Sequence, residues 1–173
     1  AVVADAHGLI EELSLLDDNS LAKTVRATVT DGAVKDKPRF LAGLSVASQR
    51  TLGMTPFNVQ NQAVLRLLEG DVIQMATGEG KTLVGAMAAT GFALQGKRVH
   101  LITVNNYLAA RDAEWMRPLV EFFGLTVAAV TESSSREERV SAYRSDVIYA
   151  PVTEIGFDHL RDNQITSREQ TVQ

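Results

Sequence analysis

The sequence predicts an α/β fold in which a parallel sheet carries helices on both faces and is preceded by a segment of helices. Three observations support this prediction. Beyond residue 58, short apolar runs alternate four times with patterns of helical period. The apolar runs are continuous, as in strands that are buried on both faces. One of these runs leads into the glycine-rich stretch MATGEGKT, at 75–82, and a helical pattern follows it.

Composition limits the class of protein. The 173 residues are 45% hydrophobic and 22% charged, which is enough for one substantial core. The net charge of −4 argues against a broad basic surface for nucleic acid. There is no cysteine and the three histidines are scattered, so neither a disulfide nor a Cys or His metal site is predicted. No apolar run approaches the roughly 18 residues of a membrane-spanning helix.

Residues 1–53 form the first predicted domain, a helical segment. In LIEELSLLDD, leucine and isoleucine recur at helical spacing between carboxylates. The next helix is predicted to begin at Asn19 and Ser20, which are good capping residues. The third, KPRFLAGLSVASQRTLG, has a proline near its start and Gly53 at its end. We predict two or three antiparallel helices that carry no reactive group and pack on another layer.

Residues 54–173 form the second predicted domain, in which strands and helices alternate. The predicted helices are VQNQAVLRLLEG, KTLVGAMAATGFALQG, NNYLAARDAEWMRPLVEFFG, SREERVSAYRS and TEIGFDHLRDN. The predicted strands are VIQMA, RVHLITV, LTVAAV and DVIYAP. Ser135 and Glu138 have the spacing of a capping box, and Thr153 is placed to cap the last helix. Pro118 is the point at which the long third helix is expected to bend.

MATGEGKT matches the phosphate-binding pattern G-x-x-x-x-G-K-[ST] except at Met75, which replaces the first glycine. Gly78 and Gly80 let the backbone curl so that its N–H groups converge on phosphate oxygens. Lys81 offers an ammonium to the outer phosphates, and Thr82 offers a hydroxyl to Mg²⁺. The helix that begins near Lys81 adds the positive end of its dipole. A glycine-rich turn without a ligand is the alternative, but the Gly-Lys-Thr ending and its flanks favour a nucleotide site.

The chain contains the stretches GMTPFNVQ at 53–60, MATGEGKT at 75–82, TVNNYLAARDAEW at 103–115 and GFDHLRDN at 156–163. Together these four stretches resemble the SecA family, the ATPase motors of bacterial protein export. Their order and wording match the family across most of residues 50–164, whereas residues 1–50 resemble it only in being helical. Asn58 and Asn106 replace the family's usual aspartates and His159 replaces its tyrosine, which points to an accessory paralogue.

The resemblance implies a RecA-like P-loop motor lobe that binds ATP with Mg²⁺. Gln60 matches the glutamine that contacts adenine, to whose edge an amide offers one donor and one acceptor. Met54 and Phe57 match residues that pack on the adenine ring, and Arg111 matches an arginine near the nucleotide. Each has a plainer alternative role: a polar helix residue for Gln60, core residues for Met54 and Phe57, and a solvated helix charge for Arg111.

The implied set of site residues also includes the whole loop. Glu79 is its unexpected member, because a carboxylate beside a triphosphate is unfavourable by Coulomb's law. Its side chain is expected to face solvent, a water or a metal. Lys81 and Thr82 are the implied catalytic residues, and Thr82 is the implied Mg²⁺ ligand. The implied nucleotide contacts are Met54, Phe57, Gln60, Thr77, Gly78, Glu79, Gly80, Lys81, Thr82 and Arg111.

For the full-length parent, the resemblance implies a protein-transporting ATPase that uses ATP hydrolysis to push preproteins across the cytoplasmic membrane. The implied partners are preproteins, a SecYEG-type channel, an anionic membrane surface and a second copy of the protein, without nucleic acid. The implied location is the cytoplasm, peripherally on the cytoplasmic face of the membrane. No apolar strand in the chain ends in the acidic run that this class needs to hold Mg²⁺ and orient water. We therefore expect the front part of the first nucleotide-binding domain, truncated before that motif, with weak ATP or ADP binding and little turnover.

Two other functions are compatible with a phosphate loop. The first is a DEAD-box-like nucleic-acid helicase lobe, whose strand-binding segments usually contain P-T-R-E-L-A and T-P-G-R. The corresponding segments here are TVNNYLAARD and APVTEIGFD, which argues against a helicase. The second is a non-enzymatic module whose binding properties respond to a nucleotide.

Overall fold

The computed structural model describes residues 1–165 and 171–173, so the part of the second predicted domain at 166–170 lies outside it. None of the described helices is both long and apolar enough to cross a membrane. The helices are α1 (Val2–Ser14), α2 (Asp18–Ala27), α3 (Lys37–Leu52), α4 (Asn58–Leu68), α5 (Lys81–Leu94), α6 (Asn106–Phe122), α7 (Arg136–Ala142) and α8 (Val152–Asn163). The strands are β1 (Val29–Thr30), β2 (Ala33–Val34), β3 (Val99–Thr103), β4 (Val127–Ala129) and β5 (Val147–Pro151).

Strands β3, β5 and β4 form a parallel sheet in that order, while β1 and β2 form a separate antiparallel hairpin. In the central strand β5, Val147 and Tyr149 join a large core that includes residues of α5 and α6. Their neighbours Ile148 and Ala150 join a smaller core with residues of α7 and α8. Because side chains alternate across a strand, helices cover both faces of the sheet. The predicted fold class is confirmed.

The first three helices pack on the same large core. Helices α1 and α2 contact α3, which in turn contacts α6 beside the sheet. Helix α3 is buried continuously from Phe40 to Ser48. A Cβ on Gly43 would overlap the side chain of Val25, so the glycine lets α2 and α3 approach closely. One apolar core runs from α1 to the sheet, so it crosses the predicted domain boundary between 53 and 54 without a break. That boundary stays a prediction.

Local geometry confirms several predicted helix ends. The Ser135 hydroxyl accepts the Glu138 N–H at 3.2 Å, and the Glu138 carboxylate accepts the Ser135 N–H at 2.7 Å. These two bonds complete the capping box of α7. Gly53 ends α3 in the left-handed conformation, with φ of 68°. Pro118 lies inside α6 and does not end it.

Two predicted helix starts are wrong. Helix α2 is capped by Asp17, whose carboxylate accepts the Ser20 N–H at 2.9 Å, so Asn19 and Ser20 lie inside the helix. An aspartate is as good a cap as either residue and comes earlier in the chain. Helix α8 begins directly after Pro151, which places Thr153 in its first turn. The proline ring fixes φ at −64° and leads the chain from β5 into the helix without a side-chain cap.

The predicted strand VIQMA, at 72–76, is also wrong. The structure assigns no regular element to these residues, and the Val72 side chain is 99% exposed. A strand needs hydrogen bonds to a neighbour, and the three strands of the described sheet pair only with one another. An apolar run indicates that a segment prefers burial, but it does not supply the pairing partner.

Candidate functional site

The candidate site is the loop that follows the unpaired segment 72–76 and leads into α5. Gly78 and Gly80 have φ of 89° and 75°, a region that residues with a Cβ rarely adopt. Gly80 is the N-cap of α5, and its carbonyl accepts the N–H groups of Leu83 and Val84 at 3.1 and 3.3 Å. The loop therefore curls directly into the positive end of a 14-residue helix.

Gln60 joins the start of α4 to this loop. Its side chain is buried; Oε1 accepts the Phe57 N–H at 2.8 Å, and Nε2 donates to the Glu79 carbonyl at 2.9 Å. A Cβ on Gly80 would overlap Nε2, so this close approach needs glycine as much as the backbone angle does. These two bonds leave one amide hydrogen and one lone pair of Gln60 unused.

Two charged side chains bond to the beginning of the loop. The Lys81 ammonium donates to the carbonyls of Met75 and Ala76 at 3.1 and 2.7 Å. The Glu79 carboxylate accepts the Ala76 N–H at 2.6 Å. The backbone thus holds both charges at defined positions. Thr82 lies half-buried in the first turn of α5, one residue after Lys81.

The residues expected around the base differ in their exposure. The Phe57 ring is 73% exposed and is therefore free to stack on a planar group. Met54 is half-buried against the large core, and its carbonyl accepts a hydrogen bond from the Ser48 hydroxyl at 2.7 Å. Thr77 lies in the exposed turn of the loop. Phe57 is consequently the better placed of the two apolar residues to contact a base.

Arg111 is not brought into contact with the loop, since each contact described for it lies within α6. Its guanidinium bonds to the Asp112 carboxylate at 2.6 Å and lies over the Tyr107 ring, 5.7 Å from its centre. The hydrogen bond that Arg111 donates to Asp112 raises the pKa of Arg111 above its ordinary value. Asp112 also affects Tyr149 on β5. Burial raises the pKa of the Tyr149 hydroxyl most, and the negative charge of Asp112 raises it further.

A buried ionic cluster joins α7 to α8, and sequence analysis missed it. The Asp158 carboxylate is 1% exposed; it accepts hydrogen bonds from Arg139 at 2.7 Å and from the Tyr143 hydroxyl at 2.9 Å. Arg139 also pairs with Glu154 at 2.8 Å. Burial opposes the charge of Arg139, but its bonds to Glu154 and Asp158 outweigh that effect and raise its pKa. Burial raises the pKa of Tyr143 as well.

The sequence held one usable signal for this cluster. Arg139 on α7 and Tyr143, the residue that caps the C-terminus of that helix, are four residues apart, which places them on one face. Asp158 is 19 residues from Arg139 along the chain, and no local pattern reveals which side chain will meet the guanidinium. The pairing is a product of the tertiary fold.

The donor set of the loop suits a phosphate group. It combines two left-handed glycines, a lysine whose ammonium is bonded to two loop carbonyls, and the N-terminus of a 14-residue helix. Within the part of the chain that the structure describes, no group of three or more His, Cys, Asp or Glu side chains is placed to hold a metal. An Mg²⁺ ion at this loop would therefore take the Thr82 hydroxyl and phosphate oxygens as ligands.

The sequence of the chain is similar to those of known protein translocase subunits. A sequence model of the SecA DEAD-like domain matches residues 1–173. The chain is 61% identical over all its 173 residues to protein translocase subunit SecA 2 of Corynebacterium efficiens, of which it covers 23%. It is 54% identical over 159 residues, or 91% of its length, to protein translocase subunit SecA 3 of Mycolicibacterium vanbaalenii, of which it covers 20%. The chain thus spans less than a quarter of the length of these relatives.

Proposed function

Because the chain belongs to the SecA DEAD-like domain family, we propose that it is the ATP-binding part of a protein translocase motor. In the full-length protein, ATP hydrolysis would drive preproteins across the cytoplasmic membrane. The relatives with the names SecA 2 and SecA 3 support an accessory rather than a housekeeping role. The single observation that supports ATP binding is the hydrogen bond from Gln60 to the loop, because it joins an amide suited to adenine to a loop whose glycines and lysine suit phosphate.

In this proposal each residue of the loop has a separate task. Backbone N–H groups of the curl that Gly78 and Gly80 allow hold phosphate oxygens, and Lys81 places its ammonium against the outer phosphates. Thr82 contributes its hydroxyl to Mg²⁺, which would neutralise charge on the phosphates when it is bound. Gln60 offers its remaining donor and acceptor to adenine, and the exposed Phe57 ring packs on the base.

Calorimetric titration with ADP in the presence of Mg²⁺ tests the site. We expect the wild-type chain to bind, and Lys81→Ala to lose at least about tenfold in affinity, since it removes a charge-assisted contact. Lys23→Ala is a matched control, because Lys23 is an exposed lysine of α2. If the wild type takes up no ADP, or if both substitutions have the same effect, the chain has no nucleotide site at this loop.

The chain by itself should turn over ATP slowly. Hydrolysis requires an acidic group near the phosphates to hold Mg²⁺ and orient water, and no described carboxylate is bonded to Lys81 or Thr82. Arg111 is also engaged within α6, and so it would have to leave Asp112 to reach a nucleotide. A steady-state ATPase rate near that of a full-length motor would contradict this expectation.

The transport role is tested on the full-length parent. We propose that it works with preproteins, a SecYEG-type channel and an anionic membrane surface, in the cytoplasm and peripherally on the membrane. Preprotein together with anionic vesicles that contain the channel should then stimulate its ATPase activity, whereas single-stranded RNA should not. Stimulation by RNA alone would identify a helicase lobe instead. Sedimentation of the parent would show whether it forms the homodimer.

A further inference from the structure

Glu79 bonds to the backbone of its own loop. Its Oε2 accepts the Ala76 N–H at 2.6 Å, a short hydrogen bond to a charged acceptor. In the opposite direction, the Glu79 N–H points at the Ala76 carbonyl at 3.4 Å. The two contacts close a four-residue turn, and the carboxylate is held at one place although the residue is exposed.

The planarity of the peptide bond shows on which side of the loop this carboxylate lies. The Met75 carbonyl and the Ala76 N–H belong to one trans peptide unit and point in opposite directions. The Met75 carbonyl accepts a hydrogen bond from the Lys81 ammonium at 3.1 Å. The Ala76 N–H, and with it the Glu79 carboxylate, therefore faces away from the ammonium.

This placement explains how the loop can carry the Glu79 carboxylate without repelling a triphosphate. A carboxylate on the phosphate side would repel a nucleotide, but here Lys81 occupies that side and the loop backbone lies between the two charges. The hydrogen bond from Ala76 also fixes the orientation of the peptide plane. That orientation aims the Met75 carbonyl at the ammonium, beside the Ala76 carbonyl at 2.7 Å.

We propose that Glu79 is a positioning residue, which anchors the Met75–Ala76 peptide from behind so that two carbonyls hold the Lys81 ammonium over the phosphate cradle. The inference rests on the proposed nucleotide site and adds a residue to it. Glu79 does not touch the nucleotide in this arrangement. It acts on phosphate affinity through Lys81.

Substitutions at Glu79 separate this role from simple charge repulsion. Glu79→Ala removes the anchor, and Mg-ADP affinity should fall about tenfold, which corresponds to about 1.4 kcal/mol at 25 °C. Glu79→Gln keeps an acceptor oxygen of the same reach, and its affinity should stay within about threefold of wild type. Glu79→Asp keeps the charge but withdraws it by about 1.5 Å, one carbon–carbon bond, and should resemble Glu79→Ala. Glu11→Ala removes an exposed carboxylate from α1 and is the charge-matched control.

A double-substitution cycle tests whether Glu79 acts through Lys81. In a Lys81→Ala background, Glu79→Ala should lower ADP affinity no further, because the group that it positions is gone. Adenosine, which has no phosphate, should bind wild type and Glu79→Ala equally. If Glu79 only stabilised the fold, Glu79→Ala would lower the affinity for adenosine as well. It would also lower the affinity for ADP by the same factor in the wild-type and Lys81→Ala backgrounds, and this result would overturn the proposal.

The outcomes separate this inference from the proposed function. If wild type binds no ADP, or Lys81→Ala binds it unchanged, the nucleotide site itself is wrong. If Lys81→Ala weakens binding but Glu79→Ala and Glu79→Gln both tighten it, the carboxylate faces the phosphates and only the positioning role is wrong. An unchanged affinity of Glu79→Asp would likewise refute the anchor.

Discussion

Replacing Arg139 with methionine should destabilise the fold far more than the same replacement at Arg161. Both guanidiniums bond to the Asp158 carboxylate, Arg139 at 2.7 Å and Arg161 at 3.1 Å. The Arg139 side chain is 8% exposed, whereas that of Arg161 is 64% exposed. Each substitution therefore removes a guanidinium partner from the same carboxylate. The partner is buried in one case and exposed in the other.

The structure determines how much each substitution should cost. Without Arg139, the nearly buried carboxylate of Glu154 loses its ion-pair partner, and the buried carboxylate of Asp158 keeps only the exposed Arg161 as counter-charge. The carbonyls of Thr131 and Ser134 lose hydrogen bonds from the same guanidinium, at 2.7 and 3.1 Å. Breaking a buried ion pair in this way costs about 3–5 kcal/mol. An exposed pair such as that of Arg161 contributes about 0–1 kcal/mol, because water screens it.

Urea unfolding of the 173-residue chain, followed by circular dichroism, measures the difference. We expect Arg139→Met to lower the midpoint strongly without changing the slope, and Arg161→Met to shift it slightly. In a thermal scan, each kcal/mol corresponds to roughly 2–4 °C in a chain of this size. Adding Asp158→Leu to Arg139→Met should recover part of the loss, because it removes the buried carboxylate that has lost its buried partner. Equal costs for the two arginine substitutions would refute the reasoning from burial.

Three further predictions concern single side chains. Gly43→Ala should cost about 1–3 kcal/mol in urea unfolding, because the new Cβ overlaps a buried valine of α2, whereas Gly8→Ala in α1, where the space is open, should gain about 0.5–1 kcal/mol. Tyr149→Phe should leave stability unchanged or raise it by up to about 1–3 kcal/mol, since the buried hydroxyl has no hydrogen-bond partner among the described residues; a loss in the same assay would reveal such a partner. Gly80→Ala should weaken ADP binding about tenfold or more in calorimetry, because it strains a left-handed residue and displaces the Gln60 amide.

The sequence was sufficient where a feature depends on neighbours in the chain. The capping box of Ser135 and Glu138 needs two residues three apart, and both of its bonds are present. Helix α3 ends at Gly53 because only a residue without a Cβ takes a φ of 68° at little cost. The parallel sheet also followed from continuous apolar runs, since such runs are buried on both faces.

The sequence was insufficient where a feature depends on distant residues. The segment at 72–76 has the composition of a strand, but a ladder also needs a partner, and none of the described strands pairs with it. The sequence pattern places Arg139 on a polar helix, but it does not reveal its partners. These are Glu154 and Asp158, which lie 15 and 19 residues away on α8. For Glu79 the residue type and position were known, but the direction of its carboxylate depends on the orientation of one peptide plane.

The missing first glycine of the phosphate loop can now be explained in the same terms. Glycine is needed where φ is positive or where a Cβ would collide, and Gly80 meets both conditions. Among the described residues, Asp31 is the single non-glycine with positive φ, so Met75 has an ordinary backbone angle. Its carbonyl is oriented by the bond from Ala76 to Glu79 rather than by glycine flexibility, while its side chain packs half-buried against the core. A methionine at this position therefore keeps the orientation of the cradle and adds apolar contact that a glycine would lack.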